Sequence, residues 1–318
     1  MELIRGLHHL RSSGRGCVAT IGNFDGVHRG HQAVLMQLKQ ASADLALPLM
    51  VIVFEPQPQE FFQPNNAPPR LMLWREKYEA FRAEGVDGMV CLRFDARLAS
   101  LSPRVFVEEV LVRGLGVRHL TVGEDFRFGK GRTGNYALLE VMGEEFGFKV
   151  SRAETFCIDG ERVSSTRVRQ ALAKGDFEAA QRLLGRRYSL GGRVVHGAKQ
   201  GRTLGFATAN INLYRREPPL QGIFAVRVDG LTDGKLDGVS YIGARRITGR
   251  SQSLLEVHVF DYKKDCYGRH IHVEFIEKLR NDQQFDSLEA LKQQIAQDAK
   301  HARQVLRKPM FILCKGAA

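Results

Sequence analysis

Cysteine is scarce in this chain: five residues in 318 (Cys17, Cys91, Cys157, Cys266, Cys314), odd in number, scattered, and without a C-x-x-C pair. A disulfide framework and a structural zinc site are therefore excluded, and a reducing compartment is favoured. Long apolar runs are missing too. The longest, Leu45–Phe54, is broken by Pro48, far short of the roughly 20 residues needed to span a bilayer. Met1–Arg11 lacks the apolar core of roughly 7–15 residues that a signal peptide needs. A cytoplasmic protein is expected, with no membrane partner. The chain also has no internal repeat, no low-complexity tract and only one tryptophan.

What is present is the composition of an ordinary globular protein, 43% hydrophobic and 26% charged, enough to bury a sizeable core. At about 150 residues per domain, two domains are expected. Lys and Arg number 47 against 35 Asp and Glu, a net charge of +12. That excess suits an anionic partner: nucleic acid, an acidic membrane or phosphorylated small molecules. The choice turns on whether the cations cluster with glycine and hydroxyl residues.

From Cys17 to about Thr155 strand-like runs (Val18–Ile21, Leu49–Phe54, Met89–Phe94, His119–Val122, Phe148–Thr155) alternate with helical periods (His31–Asp44, Leu73–Glu84, Pro103–Leu115, Tyr136–Phe146). Such alternation predicts a parallel sheet with helices on both faces. Five prolines in Pro56–Pro69 make a stiff loop after the second strand. The pattern changes at Gly185–Gly192, read as a linker. Beyond it lie short β runs (Leu190–Val195, Ile223–Val228, Val239–Ile242, Leu254–Phe260, His270–Ile276) separated by turns such as Asp229-Gly230 and Tyr267-Gly268. These predict a small antiparallel barrel. A helix capped by Ser287 closes the chain. The expected domains are 1–185 and 186–318.

Directly after the first strand stands Gly22-Asn23-Phe24-Asp25-Gly26-Val27-His28-Arg29-Gly30-His31, then a helix. Gly26 and Gly30 let a ligand approach the backbone, and the helix N-terminus favours anions. His28 and His31 can both aim ring N–H groups at one phosphate. No third ligand stands nearby, so metal binding is a poor reading of the pair. Gly14–Ala19 matches G-x-G-x-x-A but precedes its strand, and Gly123–Gly131 has the wrong spacing for a P-loop. A second cluster, Ser164-Ser165-Thr166-Arg167-Val168-Arg169, offers hydroxyls and guanidiniums before a helix, a combination suited to polyphosphate.

In the second half Gly197, Gly201 and Gly205, with Lys199 and Arg202, form another phosphate cradle, and Thr208 and Asn210 supply neutral oxygens suited to Mg²⁺. Glu256 sits mid-strand among apolar residues in Leu254–Tyr262, a candidate base for deprotonating an alcohol.

The His-x-Gly-His element resembles the nucleotidyltransferase signature. Together with Phe54-Glu55-Pro56-Gln57-Pro58, Gly123–Gly129, Ser164–Arg169, Thr208-Ala209-Asn210 and Glu256-x-His258-x-Phe260-Asp261, it resembles the bacterial bifunctional riboflavin kinase/FAD synthetase family over nearly the whole chain. The resemblance implies an α/β chain: an N-terminal Rossmann-like nucleotidyltransferase domain with a parallel sheet, then a small antiparallel β-barrel domain with a C-terminal helix. It implies ATP, riboflavin and FMN as substrates, with Mg²⁺. By the same resemblance, Asn23 joins His28 and His31 at the ATP phosphates, and Ser164, Thr166 and Arg167 bind the triphosphate. Asp125 and Phe128 shape the pocket, and Phe54, Phe62 and Arg280 lie near the flavin. Glu256 serves as the kinase base. Asn135 replaces an acidic residue of the family, and Ala207 and Arg246 replace prolines. Ala207 and Arg246 keep open an adenylyltransferase with an impaired kinase. A nucleic-acid-binding protein is the rival from another class, but the chain has no Cys/His finger, aromatic-rich RNP stretch or basic tail. The expected partners are small nucleotides and flavins, not nucleic acid, with the chain a monomer or weak homo-oligomer.

Overall fold

The computed structural model describes residues 1–10, 14, 16–197, 205–247 and 250–308. Contacts divide the chain into two compact units, Met1–Pro68 with Met72–Ser165, and Pro69–Leu71 with Thr166–Ala318.

In the first unit, Cys17–Ile21 and Leu49–Glu55 are apolar throughout. Runs without alternation must be covered on both faces, as in a parallel sheet. Six strands do this: β1 (Glu2–Arg5), β2 (Cys17–Ile21), β3 (Leu49–Glu55), β4 (Gly88–Arg93), β5 (Val117–Val122) and β6 (Lys149–Arg152), in the order β1-β4-β3-β2-β5-β6. All five pairings are parallel. Successive side chains alternate across the sheet, so Cys17, Ala19 and Ile21 enter one core layer while Val18 enters the other. Burial pushes the Cys17 thiol up to about 12, which leaves it unreactive.

Helices α1 (Arg29–Leu45), α2 (Pro58–Phe62), α3 (Trp74–Ala83), α4 (Ala96–Ala99), α5 (Pro103–Phe106) and α6 (Tyr136–Phe146) connect the strands. From β2 the chain builds outward through β3 and β4 on one side and through β5 and β6 on the other. The carboxyl end of β2 therefore lies at the switch point, where such sheets bind ligands.

The structure differs from the sequence reading in several places. Strand β1 was not expected; its four residues are too few to show a period. The expected helix Pro103–Leu115 opens at Val107–Gly114 into wider π-helical turns. The stiff loop Pro56–Pro69 contains α2, whose first residue, Pro58, needs no N–H bond. The strand expected at Phe148–Thr155 shortens to β6.

The second unit contains a closed antiparallel barrel of β9 (Ser189–Val195), β10 (Ala209–Asn212), β11 (Gly222–Asp229), β12 (Leu236–Ile247), β13 (Arg250–Val259) and β14 (His270–Arg280), in the order β10-β13-β12-β11-β14-β9. The short hairpin β7 (Cys157–Ile158) and β8 (Glu161–Arg162) precedes it, in the first unit. Leu255, Val257, Ile271, Val273 and Phe275 are shut off from solvent in the barrel. A helix with Ser287 as its cap, Leu288–Arg307, covers the outside. It lays Ala299, Ala302, Val305 and Leu306 on Ile223, Ala225 and Val239. The strand β10 was missed from sequence because Asn210 and Asn212 mask its pattern.

Two further helices, α7 (Ser165–Lys174) and α8 (Phe177–Leu184), come before the barrel, and the closing helix is α9. Phe177 meets Phe224 edge-on at 5.8 Å and lies parallel to Phe275 at 6.1 Å. The expected linker is shorter than Gly185–Gly192: Gly185 ends α8 in the left-handed conformation and β9 starts at Ser189. A fragment beginning at Arg186 discards the α8 face, including Phe177, Ala180, Leu183 and Leu184. A fragment starting at Thr166 is therefore expected to fold, and the Arg186 fragment to be less stable by at least about 3–5 kcal/mol, the cost of truncating one buried Phe. Urea unfolding of both fragments checks this; equal midpoints would assign α8 no part in the barrel's stability.

Candidate active sites

The first site grows from the end of β2. Residues 22–28 must reverse direction and start α1, and they do so through left-handed backbone at Phe24 (φ 46°), Gly26 (φ 89°) and Val27 (φ 39°). Glycine takes this conformation freely, whereas Phe and β-branched Val are strained in it. Two contacts at Asp25 help to hold the turn. The Asp25 carboxylate, buried, accepts the Met72 N–H at 3.0 Å, and the Asp25 carbonyl accepts the Ser165 hydroxyl at 2.8 Å.

His28 caps α1: its Nδ1 accepts the His31 backbone N–H at 3.3 Å. That bond fixes the tautomer, since Nδ1 must be unprotonated and the ring proton sits on Nε2. The two imidazoles stack with centroids 3.6 Å apart and planes 14° from parallel, and Phe24 flanks His31 at 4.7 Å. Gly30 packs closely, since a Cβ there would lie 3.2 Å from the His28 ring and 3.3 Å from the Val163 carbonyl, tight enough that a neighbour would have to give. The structure thus brings the segment ending in Ser164 and Ser165 to the His-x-Gly-His loop. Thr166 and Arg167 follow in the first turn of α7. A helix N-terminus with imidazole donors beside it is chemically suited to an anion.

Other expected residues are more dispersed. Asn23 is exposed beside the turn. Asp125 is exposed and paired with Arg162 at 2.9 Å. Phe128 is buried, stacked on Phe126 at 5.6 Å, and a Cβ on Gly134 would lie 2.6 Å from its ring. Phe54 is buried at the end of β3 against Phe94, while Phe62 is 61% exposed, edge-on to the same Phe94. Asn135 caps α6 through the Leu138 N–H.

The second site lies outside the barrel, between β11–β13 and α9. A cavity of about 270 Å³ is lined by Ile223, Val239, Tyr241, Phe285, Leu291 and Ile295, with Glu256, Arg280 and Asp298 among them. Arg280 is locked by a fork onto Asp298, Nε to Oδ1 at 3.0 Å and Nη2 to Oδ2 at 2.7 Å, and Gln294 also donates to Asp298. An apolar slot with a few fixed polar groups suits a flat heterocycle.

A wider groove of about 780 Å³ adjoins it, lined by Gly205, Asp261, Lys263, Lys264 and Arg303. Thr208 and His258 line both spaces. The His258 Nδ1–H donates to the Ala207 carbonyl at 2.8 Å, tying the Ala207–Asn210 stretch to β13. Arg303 forms a two-bond ion pair with Asp261, holding its carboxyl below the usual range. Gly197 is sterically required: a Cβ there would lie 2.4 Å from the Asn210 amide. Asn210 is buried and pairs across the sheet with Glu256. Lys199, Gly201 and Arg202 of the expected cradle lie outside the described residues, as does the Arg246 side chain.

Sequence reading missed Tyr241, whose hydroxyl donates to Asp282 at 2.8 Å, and His258 as a residue shared by two spaces. It also missed Lys77, fully buried, whose Nζ donates to the Asn23 carbonyl at 2.8 Å. Lys77 falls three residues after Trp74 and four before Phe81, a helical spacing that would have placed it on the buried face.

A family model described as FAD synthetase matches residues 10–167, and one described as riboflavin kinase matches residues 184–306. The bifunctional riboflavin kinase/FMN adenylyltransferase of Pseudomonas fluorescens is 52% identical over 305 residues, 95% of this chain and 97% of its own. That of Escherichia coli strain K12 is 49% identical over 312 residues, 97% of this chain and 100% of its own. A crystal structure described as a macrolide-efflux protein from Streptococcus pneumoniae is similar with a TM-score of 0.79 at 26% identity, over 98% of this chain and 100% of that one. No helix among the described residues is long and apolar enough to cross a membrane, so that likeness is taken as one of fold. With both models matched in order, and with such identity over nearly all of either sequence, the chain belongs to the family of bifunctional riboflavin kinase/FMN adenylyltransferases.

Proposed function

We propose that the chain makes FAD in two steps at two separate sites: residues 186–318 phosphorylate riboflavin with ATP to give FMN and ADP, and residues 1–185 join FMN to ATP, releasing pyrophosphate. The observation that carries the kinase step is the meeting of a small, mostly apolar cavity and a wider groove walled in part by Lys263 and Lys264 at Thr208 and His258, with Glu256 in the cavity. Flavin in the slot and nucleotide in the groove bring an alcohol up to a γ-phosphate. Glu256 takes the hydroxyl proton as the oxygen attacks phosphorus, and the bond to ADP breaks. The Arg280–Asp298 fork holds one wall of the flavin slot rigid.

Mg²⁺ fits Thr208 and Asn210, since a buried amide oxygen and a hydroxyl suit a hard cation bound mainly through ATP and water. When bound it neutralises phosphate charge. Ala207 does not argue for a decayed kinase: its carbonyl is held by His258, a restraint in the place of a proline's.

Adenylyl transfer needs no side-chain base, because the FMN phosphate is already a nucleophilic anion. His28, through its Nε2 proton, and His31 stabilise charge on the transferring phosphate, with Ser164, Ser165, Thr166 and Arg167 on the triphosphate. The acting partners are nucleotides and flavins, and a reducing cytoplasm is consistent with the free Cys17, Cys91, Cys157 and Cys266.

Incubation with riboflavin and Mg-ATP, followed by chromatography, should show FMN and then FAD; neither product would overturn the reading. His31→Ala is expected to cut FAD formation by about 10²–10³-fold while FMN accumulates at the normal rate. Undiminished FAD would remove His31 from the site.

Glu256→Gln keeps the shape and removes the proton acceptor. It should slow FMN formation by about 10²–10⁴-fold and leave FAD synthesis from added FMN intact. A normal kinase rate in this variant would make Glu256 structural only.

A further inference from the structure

Lys77 is the most deeply buried charged side chain among the described residues, 1% exposed, on the helix that supplies Phe81 to the core layer of Val18, Phe24 and Val51. A buried amino group carries a desolvation cost that Met or Leu would not. Its Nζ reaches the Asn23 carbonyl, the last peptide oxygen before the left-handed residues Phe24, Gly26 and Val27. Five residues earlier, the Met72 N–H binds the Asp25 carboxylate of the same turn. The segment from Met72 to Lys77 therefore clamps the turn at two points, and the turn ends at His28, whose ring caps α1 and stacks on His31.

We propose that Lys77 is a positioning residue for adenylyl transfer: by holding the Asn23 carbonyl it fixes the strained turn, and through it the aim of the His28 and His31 rings. It touches neither substrate. Without the donor, Phe24 and Val27 can relax toward ordinary φ values, and the cap at His28 shifts with them. A misplacement of about 1 Å at a reacting group costs on the order of 10²-fold in rate. The inference rests on this loop being the adenylyl-transfer site.

The test uses the full chain with Lys77→Met, which keeps length and apolar packing but donates nothing, and Lys77→Gln, a shorter neutral donor. Steady-state FAD formation from FMN and ATP is measured beside riboflavin phosphorylation in the same preparation, with thermal unfolding followed by circular dichroism. In Lys77→Met, kcat for FAD formation should fall by about 30- to 100-fold, with KM for ATP within about threefold and kinase turnover unchanged. Lys77→Gln should recover part of the loss. A normal kcat in Lys77→Met, or a loss that matches the unfolded fraction at the assay temperature, overturns the proposal. If Lys77→Met does not fold, the same kcat and KM readout on Lys77→Gln decides, with a normal kcat counting against. An unaltered chain that makes FMN but no FAD would instead overturn the reading of the loop itself.

Discussion

The adenylyltransferase half depends on a backbone that its own residues disfavour. Phe24 and Val27 occupy left-handed φ values, each at a cost on the order of 1–3 kcal/mol. Such a turn persists only when its surroundings over-determine it. Here they do: the parallel sheet fixes where the turn leaves β2, the Phe24 ring packs edge-on to Phe81 at 5.4 Å, Lys77 and Ser165 donate to the Asn23 and Asp25 carbonyls, and the Met72 N–H donates to the Asp25 carboxylate. The cap on α1, the tautomer of His28 and the stacking of the two imidazoles all follow from where that turn ends.

The kinase half solves its positioning problem differently. A closed barrel has no free edge, and its interior is filled by side chains such as Phe224 and Phe275. The binding space must therefore form outside, under a helix. Small residues on α9, Ala299 and Ala302, let the helix approach one end of that wall. Toward its start the larger Leu291 and Ile295 stand off and leave the slot. The Arg280–Asp298 fork spans from strand to helix. It closes the gap with a pair whose two charges satisfy each other, the condition under which a buried ion pair is tolerated.

Much of this was legible in the sequence. Unbroken apolar runs gave the parallel strands, and turn pairs such as Tyr267-Gly268 marked the hairpins. Ser287 and the three-and-four spacing after it gave the closing helix. The His-x-Gly-His loop stood out by its place between a strand and a helix, and Glu256 by its place among apolar strand residues. The remainder depends on partners distant in sequence. Nothing near Lys77 says that its target lies 54 residues earlier, and nothing near Phe128 says that Phe106 packs against it. Strands β1 and β10, four residues each, exist because longer neighbours offer them an edge to pair with.

The two halves also differ in what their chemistry requires of the protein. An alcohol must lose a proton to attack, and on the proposed reading Glu256 at the cavity wall, opposite α9, is the acceptor. A phosphate monoester attacks as the anion it already is, so the adenylyltransferase supplies only donors and geometry. Glu256 stands on a barrel strand, flanked by the fully buried Leu255 and Val257. A strained loop is the better holder for fixed N–H donors, because its value lies in where the backbone points. That division is consistent with one chain carrying two unrelated folds for a phosphoryl transfer to riboflavin and an adenylyl transfer to FMN. Each fold supplies what the other reaction does not need.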